Sequence, residues 1–223
     1  AKWAIGLRVP DATDQTIELA IDTGTILRTH IMRPTWHFVA AQDIRWMMRL
    51  TAPQIVRLGL ALERDLGLDA ATFRRTNDVI VKALEGGHQR TRKELAEAIE
   101  RAGIMTNSSR MVYIMFRAET ELLVCNGSRR GKEQTYALLD ERIPPSPMLT
   151  REEALAELAR RYFTSHAPAT VQDFSWWSGL KVSDARAALD MIKSELVSMP
   201  MDHLTYWMPK DLELPTHSEP SVH

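Results

Sequence analysis

Cysteine is almost absent from this 223-residue sequence, which contains Cys125 and no other. A single thiol cannot form a disulfide within the chain, and the closely spaced Cys and His ligands of a zinc site are missing, so we expect no metal site. No apolar run approaches the ~18 residues of a membrane span, and nothing at the start is typical of a signal peptide. The sequence therefore predicts a cytoplasmic protein with no membrane partner and no cofactor.

An excess of charge of one sign is also lacking, because 28 basic and 29 acidic side chains leave a net charge of −1. The balance is uneven along the chain: residues 71–150 carry 13 basic and 10 acidic side chains, whereas residues 151–223 carry 7 and 11. Since no segment is strongly basic, a polyanionic partner has to be recognised by local patches. The length allows one large domain or two to three small ones.

Residues 27–38 (Leu-Arg-Thr-His-Ile-Met-Arg-Pro-Thr-Trp-His-Phe) contain two extended runs on either side of Arg33-Pro34. Proline fixes its own φ and favours extended geometry in the residue before it, so we predict a hairpin with a tight corner. Period-2 alternation then places four apolar side chains in a core, namely Leu27, Ile31, Trp36 and Phe38. The opposite face carries Arg28, His30, Thr35 and His37. That face is either a polar ligand site or a solvated edge.

Helical patterns surround this hairpin. A short helix is predicted within residues 11–20, and two helical runs follow at 42–50 and at 55–66, the second beginning after Pro53. Residues 72–142 then show three helices followed by a hairpin. A capping box of Thr91 with Glu94 opens the second of these helices, and Asn107 opens the third. Three helices followed by a hairpin are typical of a winged helix-turn-helix.

The same plan returns after a proline-rich stretch. Thr150 and Glu153 cap a helix whose apolar stripe is Leu155, Leu158, Ala159, Tyr162 and Phe163. Trp176 and Trp177 are interpreted as core and junction anchors. The fold class is therefore mainly α with small β-hairpins (α+β), arranged as tandem winged helix-turn-helix units. The predicted divisions are a partial first unit at 1–70, a second unit at 71–142, a proline-rich linker at 143–149, a third unit at 150–213 and a disordered tail at 214–223.

Two places in the second unit could contact nucleic acid. Its wing carries Arg129, Arg130 and Lys132 between glycines, which suits entry into a groove but also suits a solubilising loop. The start of its third helix holds Asn107, Ser108, Ser109 and Arg110, where a recognition helix meets DNA. The same residues are good helix caps, and capping needs no DNA.

Three stretches together resemble one family: residues 1–8 (Ala-Lys-Trp-Ala-Ile-Gly-Leu-Arg), 28–39 (Arg-Thr-His-Ile-Met-Arg-Pro-Thr-Trp-His-Phe-Val) and 168–180 (Pro-Ala-Thr-Val-Gln-Asp-Phe-Ser-Trp-Trp-Ser-Gly-Leu). They resemble the winged-helix DNA glycosylases related to AlkZ and YcaQ. The resemblance implies tandem winged helices that cradle DNA, and hydrolysis of the N-glycosidic bond of alkylated or crosslinked purines. It places the catalytic motif (glutamine, a hydrophobic residue, then glutamine or aspartate) upstream of Ala1, so no catalytic residue is assigned here. It also implies a C-terminal β-rich domain, for which this chain has no room.

The favoured function is thus a DNA glycosylase that acts as a monomer on duplex DNA, damaged or not, and that associates with the nucleoid when bound. The alternatives are a non-catalytic winged-helix DNA-binding protein or transcription regulator, and a protein-interaction scaffold. Regulators with one recognition helix per subunit commonly dimerise, whereas tandem units need no partner. The predicted DNA-binding residues are Arg28, His30, Arg33, Thr35, His37, Asn107, Ser108, Ser109, Arg110, Arg129, Arg130 and Lys132.

Overall fold

Side-chain capping fixes where several helices of the chain begin. A computed structural model describes residues 2–146 and 148–212. Reciprocal capping boxes open four of its helices, at Thr13, Thr91, Thr150 and Thr170. Asn107 caps a fifth helix, since its side chain accepts a hydrogen bond from the backbone N–H of Arg110. The predicted boxes at Thr91 and Thr150 and the cap at Asn107 are therefore confirmed.

The chain divides between Met148 and Leu149 into two compact units, at the end of the predicted linker. The first unit contains seven helices and five strands within its described residues, in the order α1 (Lys2–Gly6), α2 (Asp14–Asp22), β1 (Ile26–His30), β2 (Trp36–Ala40), α3 (Ile44–Asp65), α4 (Ala70–Leu84), β3 (Arg90–Thr91), α5 (Arg92–Arg101), α6 (Ser108–Thr120), β4 (Val124–Asn126), β5 (Thr135–Leu138) and α7 (Leu139–Arg142). The described part of the second unit contains α8 (Arg151–Ser165), α9 (Val171–Ser178), α10 (Val182–Ile192), β6 (Leu196–Met201) and β7 (Leu204–Pro209). The architecture is mainly α-helical with small antiparallel sheets, which confirms the α+β class.

The hairpin of β1 and β2 forms as predicted, but its register differs from the prediction. His30 pairs with Trp36, and Arg28 pairs with Phe38. Directly paired residues share one face of an antiparallel ladder, so Trp36 and Phe38 lie on the face of Arg28 and His30. His37 lies opposite Thr29, on the other face. The predicted grouping of Arg28, His30, Thr35 and His37 on one polar face, with Trp36 and Phe38 in the core, is therefore wrong.

The cause is the length of the turn. Five residues, 31–35, connect the strands, and the turn includes Met32 at a φ of 65°. The backbone N–H of Arg33 donates to the Ile31 carbonyl at 2.7 Å, and that of Thr35 donates to the Arg33 carbonyl at 2.7 Å. A tight corner at Arg33-Pro34 would have placed β2 one residue earlier, and a shift of one residue exchanges the two faces of a strand.

Residues 44–65 form one helix rather than the two runs that Pro53 seemed to separate. The first half buries Ile44 and Met48, as predicted. In the second half, Ile55 and Glu63 are buried, whereas Leu58 and Leu62 are exposed. Proline removes one helical hydrogen bond, but the helix continues through Pro53.

The interior of the first unit is an apolar core beneath the small sheet. Its fully buried members include Ile80, Leu84, Leu95, Ile99 and Ile114, which come from α4, α5 and α6. The sheet above it has the strand order β3-β5-β4, with Thr91 paired to Thr135 and Cys125 paired to Ala137. This core ties the helices α4 to α6 to the strands that follow them.

The second unit has its own core. All five residues of the predicted α8 stripe are buried, from Leu155 to Phe163, and Phe174 of α9 and Ile192 of α10 pack with them. Trp177 contacts Tyr162 with ring centroids 5.1 Å apart. Trp176 is 72% exposed, so its prediction as a core anchor is wrong.

Helices long and apolar enough to cross a membrane do not occur in the described ranges. The predicted tail at 214–223 lies outside the residues that the structure describes.

Candidate functional site

A groove of about 700 Å³ opens in the first unit where the β1–β2 hairpin, α5, the start of α6 and β5 meet. It brings together two regions that the sequence predicted separately. The hairpin contributes Arg28 and Trp36, and the start of α6 contributes Asn107 and Ser108. The other residues used below that line it are Thr91, Arg92, Lys93, Glu100, Glu133, Gln134 and Tyr136.

The groove has a mixed charge with three cations. Arg28, Arg92 and Lys93 line it together with the carboxylates of Glu100 and Glu133. Two helices also begin there, since α5 starts at Arg92 and α6 starts at Ser108. The positive ends of two helix dipoles add to the cations. The three cations and the two helix starts together favour an anionic ligand over an apolar one.

Arg28 and Trp36 form a stacked pair at the hairpin side of this groove. The guanidinium carbon of Arg28 lies 3.8 Å from the centroid of the Trp36 ring. The backbone N–H of Arg28 donates to Oδ1 of Asn126 at 2.8 Å, which fixes the strand at this point. Burial lowers the pKa of Arg28, while the nearby Tyr136 and Glu119 raise it.

Glu119 of α6 lies behind that pair and holds the hairpin. Its Oε2 is 2.7 Å from Nδ1 of His30, and the backbone N–H of His30 donates to the same oxygen at 3.3 Å. The hydroxyl of Thr29 donates to it at 3.4 Å. Glu119 is 2% exposed, so these donors compensate a buried carboxylate. No pattern in the sequence pointed to Glu119, because its partners lie some ninety residues earlier in the chain.

The remaining predicted residues of the hairpin lie at its turn. Thr35 is exposed, Arg33 is half-buried, and neither lines the groove. His37 is half-buried, with Nδ1 2.9 Å from the Thr35 carbonyl. Burial lowers the pKa of His37, the hydrogen bond to Thr35 raises it, and Arg33 and His30 lower it further. His37 is thus held next to the turn rather than beside Arg28.

The predicted residues at the start of α6 separate into two roles. Asn107 and Ser108 are exposed and line the groove, and Ser109 is exposed beside them. The Arg110 guanidinium instead donates to backbone carbonyls of Leu66, Gly67 and Met105. Arg110 therefore stabilises the connection between α3 and α4.

The wing is held more tightly than an exposed tip. Arg129 donates to Glu18 at 2.9 Å, and its backbone N–H donates to Asp22 of α2 at 3.0 Å. Arg130 donates to Glu94 at 2.9 Å and to the Gln89 carbonyl at 3.0 Å. Lys132 is exposed. Two of the three predicted wing cations are therefore already engaged within the unit.

Several residues of the groove and its walls carry no local pattern that marks them in the sequence. Arg92, Lys93, Asn126 and Tyr136 were not among the predicted DNA-binding residues. Burial raises the pKa of the Tyr136 phenol, so Tyr136 contributes a neutral group to the groove wall. Within the described residues, no group of three His, Cys, Asp or Glu side chains could hold a metal ion.

Comparison with known proteins identifies the family of this chain. The structure is similar to the DNA glycosylase AlkZ of Streptomyces sahachiroi, with a TM-score of 0.73 and 16% sequence identity over 93% of this chain. The chain spans 58% of the length of that protein. No curated protein matches the sequence. The model of the AlkZ-like DNA glycosylases matches residues 1–222, and the chain belongs to that family.

Proposed function

We propose that this chain binds duplex DNA in the groove of the first unit and takes part in hydrolysing the N-glycosidic bond of an alkylated or crosslinked purine. The observation that carries this proposal is the meeting of Arg28, Arg92 and Lys93 with the first turns of α5 and α6 in one groove. Cations and backbone N–H groups at helix starts are the usual donors to DNA phosphates. Family membership supplies the reaction class.

The order of elements supports a winged-helix arrangement for this surface. Helices α4, α5 and α6 precede the strands β4 and β5, and β3 joins the same sheet. In such a unit the third helix enters or borders the DNA groove, which corresponds to α6 and its exposed Asn107 and Ser108. The second compact unit repeats three helices and a hairpin. We therefore interpret residues 71–142 and 150–213 as tandem winged-helix units.

Hydrolysis of the N-glycosidic bond of an alkylated purine requires little acid catalysis from the protein. An alkylated purine already carries positive charge and leaves readily, so the main requirements are an oriented water and a polar environment for the oxocarbenium-like sugar. The groove supplies hydrogen-bond donors and acceptors, including the amides of Gln134 and Asn107 and the two carboxylates. We assign no catalytic residue among the described residues.

The experiment that tests the proposal measures both DNA affinity and base release. The probe is a duplex with one N7-methylguanine, compared with the undamaged duplex, and the protein is the chain together with any residues that precede or follow it in its natural protein. We expect salt-dependent binding and release of the methylated base. Lys93→Ala should weaken binding about three- to tenfold, because one phosphate contact is lost. Arg74→Ala is the matched control, since Arg74 is an exposed arginine on α4 that does not line the groove.

The outcomes separate the alternative functions. Binding of both duplexes without base release, together with sequence preference and dimerisation, would favour a transcription regulator. Absence of binding at low salt would favour a protein-interaction scaffold, because any DNA-binding role requires affinity that falls as salt rises. If Lys93→Ala bound DNA and released the base as well as the natural protein does, the groove would not be the DNA-binding site.

A further inference from the structure

The guanidinium of Arg28 has no acceptor within the described residues, unlike the guanidinium groups of Arg92, Arg129 and Arg130. Within residues 2–146 and 148–212, its side chain makes no hydrogen bond or ion pair, although it is half-buried. By contrast, Arg92 donates to the Ser108 carbonyl at 3.0 Å, and Arg129 and Arg130 each have a glutamate partner. A half-buried cation without a hydrogen-bonded acceptor carries a desolvation cost that an anionic ligand would offset.

A chain of contacts holds this guanidinium in place from behind. The Trp36 ring lies under Arg28 at 3.8 Å, and the His30 ring lies 3.9 Å from the Trp36 ring, centroid to centroid. His30 is in turn fixed by the buried carboxylate of Glu119, 2.7 Å from its Nδ1. This series of contacts connects the buried Glu119 to the lining of the groove. Each step is a contact of a rigid ring or a charge-assisted hydrogen bond.

Such a stack matters because a free arginine side chain has many rotamers. Immobilising one on binding costs conformational entropy, and a side chain that is already held avoids most of that cost. The planar guanidinium also presents paired N–H donors that match two oxygens of one phosphate. Stacking on an aromatic ring leaves the edge of the guanidinium, which carries these donors, open to a ligand.

We propose that Arg28 is a pre-positioned phosphodiester-binding residue, and that Trp36, His30 and Glu119 are positioning residues that hold its guanidinium in the groove. This inference rests on the proposed function, since the phosphodiester is that of DNA. It adds to that function a division of labour: Lys93 supplies a mobile charge, whereas Arg28 supplies an oriented one. The two residues therefore respond differently to substitution.

The test is the affinity for a duplex measured over a range of salt concentrations. The slope of log affinity against log salt reports the number of phosphates neutralised, at about 0.9 per phosphate. Arg28→Ala should lower affinity roughly tenfold or more and make the slope shallower by about one. Arg28→Lys keeps the charge but not the planar fork, so it should lose most of the affinity while keeping the slope. Arg74→Ala should change neither quantity.

The positioning part is tested by Trp36→Leu and by the double variant with Arg28→Ala. Trp36→Leu should weaken binding several-fold with the slope unchanged, and the double variant should bind no worse than Arg28→Ala alone, because the two residues act as one unit. Thermal melting checks that each variant folds. If Trp36→Leu has a clearly lower melting temperature than the natural chain, Trp36→Phe supplies the same comparison with a smaller ring.

Each result bears on the inference in a different way. An unchanged slope for Arg28→Ala would overturn the phosphate contact, while salt-dependent DNA binding by the natural chain would still uphold the proposed function. Additive losses for Arg28→Ala and Trp36→Leu would overturn the positioning role. No salt-dependent binding by the natural chain would overturn the proposed function, and this inference with it.

Discussion

Oε2 of Glu119 and Nδ1 of His30 lie 2.7 Å apart, although 89 residues separate them in the sequence. The same oxygen also accepts from the backbone N–H of His30 and the hydroxyl of Thr29. One buried carboxylate oxygen on α6 thus serves three donors of the hairpin. The contact joins the first hairpin to the helix that lines the groove.

Removing Glu119 should therefore destabilise the first unit strongly. Glu119→Ala leaves three buried or half-buried donors without an acceptor, and we expect the free energy of unfolding to fall by about 2–4 kcal/mol. Glu119→Gln keeps an acceptor oxygen and should lose less. Urea unfolding measures both. Glu157→Ala, which removes a surface ion-pair partner of Arg160 in the second unit, is the control and should cost at most about 1 kcal/mol. Equal losses for all three variants would contradict the role given to Glu119.

Gly127 should tolerate no side chain. A Cβ at this position would overlap Oε1 of Gln89 and Oγ1 of Thr135. The Gln89 side chain cannot simply move away, because it accepts from the Ser128 N–H at 2.7 Å. Gly127→Ala should lower the free energy of unfolding by about 1–3 kcal/mol through overpacking.

Calorimetry of Gly127→Ala is compared with Gly6→Ala in α1. A Cβ at Gly6 meets Ile17 at 3.8 Å, which is ordinary contact, so alanine there should be neutral or stabilising. A Gly127→Ala melting temperature equal to that of the natural chain would show that the wing can open to admit a methyl group.

Stability should contain an acid-sensitive part that comes from Glu94. The backbone N–H of Thr91 and the Arg130 side chain, in that order of effect, lower the pKa of Glu94 from 4.5 to about 2. Because the pKa is lower in the folded state, the stabilisation is present above about pH 4.5 and is lost as the pH falls towards 2. Solvent screening at this partly exposed carboxylate limits it to about 1 kcal/mol.

The measurement is urea unfolding of the natural chain and of Glu94→Gln between pH 2 and pH 7. The difference between them should be largest near neutral pH and should shrink towards zero near pH 2. Glu97→Gln, at an exposed position on the same helix, is measured alongside as the matched control. If the difference in free energy of unfolding between the natural chain and Glu94→Gln stayed constant down to pH 2, the charge of the Glu94 carboxylate would contribute nothing to stability.

The single cysteine should be chemically silent in the folded chain. Cys125 is 0% exposed in β4, and burial raises the pKa of its thiol to about 12. Since the thiolate is the reactive form, dithionitrobenzoate at pH 8 should label the native chain only as fast as it opens, and urea should accelerate the labelling by orders of magnitude. Rapid labelling without urea would place Cys125 at an accessible position.

The sequence predicted best what short stretches of chain determine. A capping box needs only four consecutive residues, so Thr91 with Glu94 and Thr150 with Glu153 were recognisable without the fold. The stripe of α8 was recognisable for the same reason, because Leu155 and its partners repeat at the helical period and lie in one core. These features fixed the α+β class and most helix positions.

The candidate site depends on longer-range relationships and was predicted only in part. Arg28 and Asn107 were each proposed, but nothing local showed that they line the same groove. The register of the hairpin followed from a five-residue turn, so Trp36 was assigned to the core instead of to the stack on Arg28. Glu119 was missed because its partner lies in β1. A strand's inner and outer faces depend on a single residue of turn length, which alternation alone does not provide.

The last helix of the first unit, α7, is hydrogen-bonded to α2 near the start of the unit. Nη2 of Arg142 in α7 donates to the carbonyls of Ile21 and Asp22 at the end of α2, at 3.0 and 2.9 Å. On the ribosome, the end of α2 therefore emerges 120 residues before Arg142 does. These hydrogen bonds, which hold the end of α2 in this unit, cannot form until Arg142 has been synthesised.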